Sequence, residues 1–403
     1  MSSIANIITE TLTPEVRDAV NAPIEQARTL PRQAFTLDAF AAAEREYVFS
    51  ANWCALYFTE LLKPGDLVPI EFAGVPLFMV RDFDDTLRVF HNITPYDGCL
   101  VVIDAAVGVT EIRTPYHGWR YGLDGHLIAT PYWDGTEEGT DLGELGDRPH
   151  RLVEVASAVW GPILFVNVDG QAGEFEDSVG SLQKALGGWD LDSLSVARDE
   201  QGLPLLDPEN LATNWKTHLE NWGINVLHEA FVHDLYNQSP EVPRMNLEGK
   251  TTFEHYIDDR VMSLKYQESD FPQTYPELPF PSLVKDTSDS LDTGYFGSFL
   301  PNLHFGVFSG LIHFIVSLPE GATRTRTIRA QFYAQDAAAG SEFLELRLML
   351  AAGLAEAGRE DARITEAVQK ARSSPAFDSQ YYSKRWDTMH HKFSQWVLSQ
   401  FPE

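Results

Sequence analysis

The sequence predicts an α+β chain in which a small all-β domain precedes an antiparallel sheet with flanking helices. Three observations carry this. Short apolar runs punctuated by Gly, Pro and Asp-Asp turns fill residues 66–170. Apolar residues recur at three- and four-residue steps on either side, over 14–48 and 208–236. Strand-like runs return at 311–318 and 324–333 before a helix-rich tail, and helices before and after antiparallel strands define the α+β class.

In order, residues 14–48 read as helical, with Asp38 placed to cap the run Ala-Phe-Ala-Ala-Ala. Residues 66–74, 75–81, 87–91 and 162–168 read as strands separated by turns. A helix is expected from Pro208 to 236, and the Pro-, Ser- and Asp-rich stretch 240–300 is expected to contain a long loop. Nothing repeats along the chain, so each segment is a unique part of the fold.

Composition narrows the function. The chain has 403 residues, 44% of them hydrophobic, enough to bury sizeable cores without disulfide staples. Lys+Arg 30 against Asp+Glu 59 leaves a net charge of −29, which repels nucleic-acid phosphates and anionic lipid and excludes both as partners. Two cysteines, Cys54 and Cys99, exclude a disulfide framework and a four-thiolate metal site. The N-terminus has no basic segment followed by an apolar one, and no run reaches the roughly 18 apolar residues of a membrane span; a cytoplasmic location is expected.

The chemistry concentrates at His228-Glu-Ala-Phe-Val-His233. Neutral imidazoles suit iron, zinc and copper. Five helical steps leave the two rings about 140° apart, so a regular helix must loosen for both to reach one metal. The surrounding segment, Asn214-Trp-Lys-Thr-His-Leu-Glu-Asn221-Trp-Gly-Ile-Asn225-Val-Leu-His228, resembles the iron-binding helix of the Rieske-type non-haem iron oxygenases, the ring-hydroxylating dioxygenase large-subunit family. Glu360-Asp361-Ala-Arg-Ile-Thr-Glu366-Ala-Val-Gln369 is similar to that family's C-terminal E-D-x-x-I-x-E-x-V-Q helix. Thr114-Pro-Tyr-His-Gly-Trp-Arg-Tyr-Gly resembles its second cluster-binding loop, and Phe299-Leu-Pro-Asn302 another of its signatures. On these motifs the chain is identified as a divergent member. The resemblance implies an N-terminal helical segment over 1–48, a Rieske-like β domain over 49–170 and a helix-grip-type catalytic domain over 171–403. It implies one mononuclear Fe(II) held by His228, His233 and Asp361, with Asn221 and Asn225 beside the ligands.

Two departures stand out. The family holds a [2Fe–2S] cluster with C-x-H, about seventeen residues, then C-x-x-H. Here the spacing persists as Thr94-Pro-Tyr96, seventeen residues, then Thr114-Pro-Tyr-His117, but three of the four ligands are gone. No [2Fe–2S] cluster is therefore expected; a different metal at Tyr96, Cys99 and His117 is the lesser alternative. Second, the acidic residue that the family places three before its first iron-binding His, bridging to a cluster His of the next subunit, is Asn225. An amide's NH2 must donate, so Asn225 cannot bridge two N–H donors with an oxygen for each, as a carboxylate does.

His218 reads as a packing residue. His304, Phe305, His313 and Phe314, with Trp222, Leu227 and Phe231, fall where the family lines its substrate cavity. The resemblance implies an oxygenase subunit that hydroxylates or demethylates a small organic molecule, aromatic ones included, with O2. Electrons would come from a cluster-bearing homologue in a trimer or mixed trimer or hexamer, and through it from a reductase. The alternatives are a non-catalytic structural subunit of such an oligomer, or an iron enzyme needing no external electrons.

Overall fold

The computed structural model describes residues 4–137, 139, 142–222, 224, 227–234, 253–267, 279–285 and 293–403. Structural statements below concern those residues. Asn225 and most of the expected 240–300 loop lie outside them.

The first sheet runs β1 (Cys54–Phe58), β9 (Ile163–Asn167), β8 (Glu154–Trp160), β4 (Leu87–His91), β3 (Val75–Arg81) and β2 (Leu67–Phe72) in spatial order. Its pairs are antiparallel throughout. Three short strands, β5 (Ile112–Arg113), β6 (Arg120–Tyr121) and β7 (Leu127–Ala129), form a second small sheet. Phe78 stacked on Phe90, with Ile112, Trp119 and Tyr121, makes a core joining the two.

The large sheet follows the order β10 (Leu194–Val196), β17 (Thr325–Ala334), β16 (Ile312–Pro319), β15 (Leu303–Val307), β14 (Thr293–Phe299), β13 (Val261–Gln267) and β12 (Phe253–Asp258). A further strand, β11 (Leu206–Leu211), shares the outer edge of β17 with β10. Because side chains alternate across a strand, the register sorts this sheet into two faces. Phe305 and Phe314 are cross-strand partners on one face. That face packs on the β domain through Trp160–Phe314, Phe165–Phe299 and Phe58–Phe332, ring centroids 5.3–6.4 Å apart. Each buried aromatic there contributes about 1.5–3 kcal/mol. Asn302 adds a polar clamp: its Oδ1 accepts from the Ala55 amide, and its Nδ2 donates to the Ala55 and Ser317 carbonyls. His304, His313, Ser317 and Gln331 alternate onto the opposite face, toward the helix Trp215–Trp222.

Two sequence expectations need correction. Asp38 is the first residue of its helix (Asp38–Glu44), not the cap; Leu37 holds that position, and Asp38 Oδ1 instead accepts the Ala322 amide. Pro208 begins no helix but lies in β11, where the edge position makes its missing N–H harmless. In the 240–300 stretch, expected to contain a long loop, the described residues include β12, β13 and β14.

Candidate metal centre

The helix Trp215–Trp222 and the 29-residue helix Leu344–Arg372 are clamped side by side. Gln369 Oε1 accepts from the Asn214 amide and the Thr217 hydroxyl, while its Nε2 donates to the Phe35 carbonyl. Arg372 donates to Thr217 Oγ1 and Glu220 Oε2, and Glu366 accepts the Ala212 amide. The E-x-V-Q portion of the C-terminal motif is thus a fastener, and it fixes Asp361 two turns earlier on the same helix. Asp361 sits mid-helix rather than at a helix start.

The helix carrying the histidines loosens as the geometry demands. Between the two rings the chain makes one short helix, Glu229–Val232; His228 is its N-cap and His233, with φ −86° and ψ 120°, leaves it in extended conformation. That break brings both rings to one point. Asp361 Oδ1 lies 3.3 Å from His228 Nε2 and 3.6 Å from His233 Nε2, and one donor atom from each residue falls within 4.8 Å of the others. Asp361 Oδ1 is buried and meets no hydrogen-bond partner. Burial pushes the Asp361 carboxyl up, but the two imidazoles and the Asn221 side chain outweigh it and hold the carboxyl below its usual value. Two imidazoles and one carboxylate oxygen converging on a point fit a divalent iron ion. No other such group of His, Cys, Asp and Glu occurs among the described residues.

Glu360 carries a role that the motif alone did not assign. Its Oε2 lies 2.8 Å from His233 Nδ1, and its Oε1 accepts the Asp234 amide. A carboxylate on Nδ1 fixes the tautomer that turns Nε2 to the metal point. Glu360→Ala is expected to weaken Fe(II) affinity about 10- to 100-fold, read by competition with a chelator, with Glu360→Gln retaining part of it.

Of the expected cavity residues, Trp222, His304 and His313 share the face beneath this centre, with ring centroids 5.6–6.4 Å from Trp222 to the two imidazoles. Phe305 and Phe314 point to the β domain instead, and Phe231 is 66% exposed. Leu227 is partly buried against the main core. His218 is a buried packing residue, its ring 5.2 Å from His304, and His304 is itself satisfied by Ser298 and Ser317.

The two loops at the expected cluster position are joined by side chains. Asp97 accepts from Thr94 Oγ1 and from the Cys99 amide through Oδ1, and its Oδ2 meets His117 Nδ1. Tyr96 stacks on Trp119, centroids 4.6 Å apart and planes 1° from parallel. Thr94 and Thr114 are buried, whereas Tyr96 is exposed. Burial raises the Asp97 carboxyl, but hydrogen bonds from Thr94, Cys99 and His117 together hold it below its usual value. A depressed carboxyl stabilises the fold above its ordinary range and loses that contribution as pH falls through the depressed value. Asp97→Ala is expected to cost about 1–3 kcal/mol and to raise hydrogen exchange at the Cys99 amide, an effect that acidification reproduces in the wild type.

Residues 187–403, more than half of the chain, match the family described as ring hydroxylating alpha subunit (catalytic domain). The chain belongs to that family. Residues 52–138 of this alpha subunit also match the Rieske [2Fe–2S] domain. It is 27% identical over 249 residues to the carnitine monooxygenase oxygenase subunit of Escherichia coli K12, a match covering 60% of this chain and 63% of that protein. Against the chloroplastic choline monooxygenase of Amaranthus tricolor it is 21% identical, with 98% of this chain and 84% of the relative covered. Its fold is that of a Rieske oxygenase: it superposes on the quaternary ammonium Rieske monooxygenase CntA with a TM-score of 0.73 at 18% identity, covering 96% and 98% of the two chains. Naphthalene 1,2-dioxygenase from Rhodococcus sp. gives 0.73 at 17% identity, with 99% and 100% covered.

Proposed function

We propose that this alpha subunit is a non-haem iron oxygenase component that hydroxylates or demethylates a small organic molecule, holds Fe(II) through His228, His233 and Asp361, and carries no Rieske cluster. The observation that carries the reading is the convergence of one imidazole nitrogen each from His228 and His233 on the buried Asp361 Oδ1. Iron there would supply the redox chemistry of O2 activation, with positions left open by three protein ligands. The chain's own part is to hold the site: Glu360 orients His233, the Asn221 side chain contacts Asp361, and Gln369 and Arg372 keep the two helices in register. Similarity to the carnitine and choline monooxygenases supports oxygenation of a small organic substrate.

The residues at the four cluster positions do not fit [2Fe–2S]. Two hydroxyls, a phenol and one imidazole bonded to Asp97 offer no thiolate, and the Asp97 bridge and Tyr96–Trp119 stack occupy the loops in its stead. We infer that electrons come from a cluster-bearing homologue in a trimer or mixed trimer or hexamer. Tyr116, Tyr132 and Trp133 support this: they are exposed around a cleft of about 740 Å³ at the loop tips, the kind of surface that marks an interface. In the test, the isolated chain with reductase, NADH and O2 turns over little substrate, and a cluster-bearing homologue raises the rate at least tenfold. Sustained turnover by the isolated chain without reductant would favour an iron enzyme needing no external electrons. An iron-free chain would favour a structural subunit.

A further inference from the structure

Beneath the metal centre, the helix Trp215–Trp222 lies over the His-bearing face of the large sheet, and several buried polar atoms there meet no hydrogen-bond partner. Three of them are Nε2 of His218, Nε1 of Trp222 and Nε2 of Gln331, on residues 7%, 7% and 4% exposed. Buried polar groups are bonded in nearly all native folds, and an orphaned one costs about 1–3 kcal/mol. Three in one patch call for a shared cause.

They do share a patch. The Trp222 ring lies 5.6 Å from His313, and His313 is the cross-strand partner of Gln331. His304 links the other end, 5.2 Å from His218 and 6.4 Å from Trp222. The patch adjoins the metal centre, because Asn221, one residue before Trp222, contacts Asp361.

The chemistry on offer is mostly that of a donor. An indole N–H only donates. Gln331 Oε1 already accepts the Tyr333 hydroxyl, which leaves the amide NH2 as its unused side. Burial pushes the His218 imidazole down to about 4, so it is neutral at pH 7. Arg329 lies 5.6 Å from the Trp222 ring, but Asp207 and Glu209 are tied to that guanidinium, so it brings no net positive charge. Phe296, 4.7 Å from Trp222, supplies an apolar wall. Unused N–H donors suit an oxygen acceptor, and these three side chains offer an ammonium group no carboxylate.

We propose that this face is the substrate-anchoring subsite and that it takes a small molecule bearing a carboxylate or carbonyl oxygen, held by Trp222 Nε1 and Gln331 Nε2, with His218 completing the contact. That the ligand is then oxygenated rests on the oxygenase reading above; the binding itself does not.

Titration calorimetry on the full-length chain, metal-free and Fe(II)-loaded, tests this with four probes of similar shape: benzoate, benzamide, toluene and benzyltrimethylammonium. Benzoate or benzamide is expected to bind at least tenfold tighter than toluene and benzyltrimethylammonium. Gln331→Leu and Trp222→Phe, each checked for a wild-type melting profile, are expected to weaken that binding about tenfold, equivalent to about 1.4 kcal/mol. If one variant fails to fold, the other decides. The proposal is overturned if toluene or benzyltrimethylammonium binds as tightly, if neither acceptor-bearing probe binds, or if the folded variants keep wild-type affinity. Since the metal-free chain reports ligand binding alone, a failure to hold iron would sink the oxygenase reading and leave this result standing.

Discussion

Alanine at His228, His233 or Asp361 is expected to lower Fe(II) affinity by at least a hundredfold, leaving no stoichiometric iron after desalting. Each residue contributes one of only three donor atoms within 4.8 Å of one another, and two remaining donors compete poorly with water. The three substitutions should differ in their side effects. His233→Ala strands Glu360, whose Oε2 is bonded to that ring, whereas Asp361→Ala removes a buried carboxylate that only the two imidazoles and Asn221 offset. Far-ultraviolet circular dichroism of the variants should stay close to wild type, since the clamp between the two helices runs through Gln369, Arg372 and Glu366 instead. Wild-type iron content in any of the three variants would show that the metal lies elsewhere.

The second large effect is on stability. Lys216 Nζ and Glu44 Oε1 form an ion pair with both side chains almost fully buried, joining the N-terminal helices to the helix Trp215–Trp222. Burial pushes the Lys216 amine down and the Glu44 carboxyl up, and each partner's charge opposes that shift. Lys216→Met leaves Glu44 as an uncompensated buried charge, with an expected cost of about 3–5 kcal/mol in urea unfolding. Replacing both residues, Glu44→Leu with Lys216→Met, should recover most of it, because a well-packed apolar pair avoids the desolvation of two ions. A double variant no more stable than the single one would contradict this reading.

What was legible in the sequence follows the physics of each element. β2, β3, β4, β9, β16 and β17 were found because they are bounded by turn residues and carry dense apolar runs; β9, for instance, is buried at all five positions. β11 was missed because an edge strand is half solvated: Leu206-Asp-Pro-Glu-Asn-Leu has no apolar alternation, and Pro208 reads as a helix start. β13 and β14 were hidden by their composition, since Ser263 in the one and Thr293, Gly294, Gly297 and Ser298 in the other look like loop residues. At the metal centre, the two histidines and Asp361 were readable from motif spacing, but their convergence depends on His233 leaving the helix, which no periodicity reveals. Glu360 stood in the motif without a role, because its partner is 127 residues away in sequence. The Asp97 bridge was equally invisible: loss of the ligands could be read from Thr94, Tyr96 and Thr114, whereas the replacement joining the two loops is a product of tertiary contact.

The central claim is a mononuclear iron site on a chain without its own cluster, and iron and acid-labile sulfide counted together on one purified sample test it most directly. Protein expressed with ample iron and sulfur, purified without oxygen and reconstituted with Fe(II), is expected to hold about one iron per chain and no labile sulfide, and to show no Rieske absorption. About three irons and two sulfides per chain would mean that a cluster is bound despite Thr94, Tyr96 and Thr114, and would contradict the claim.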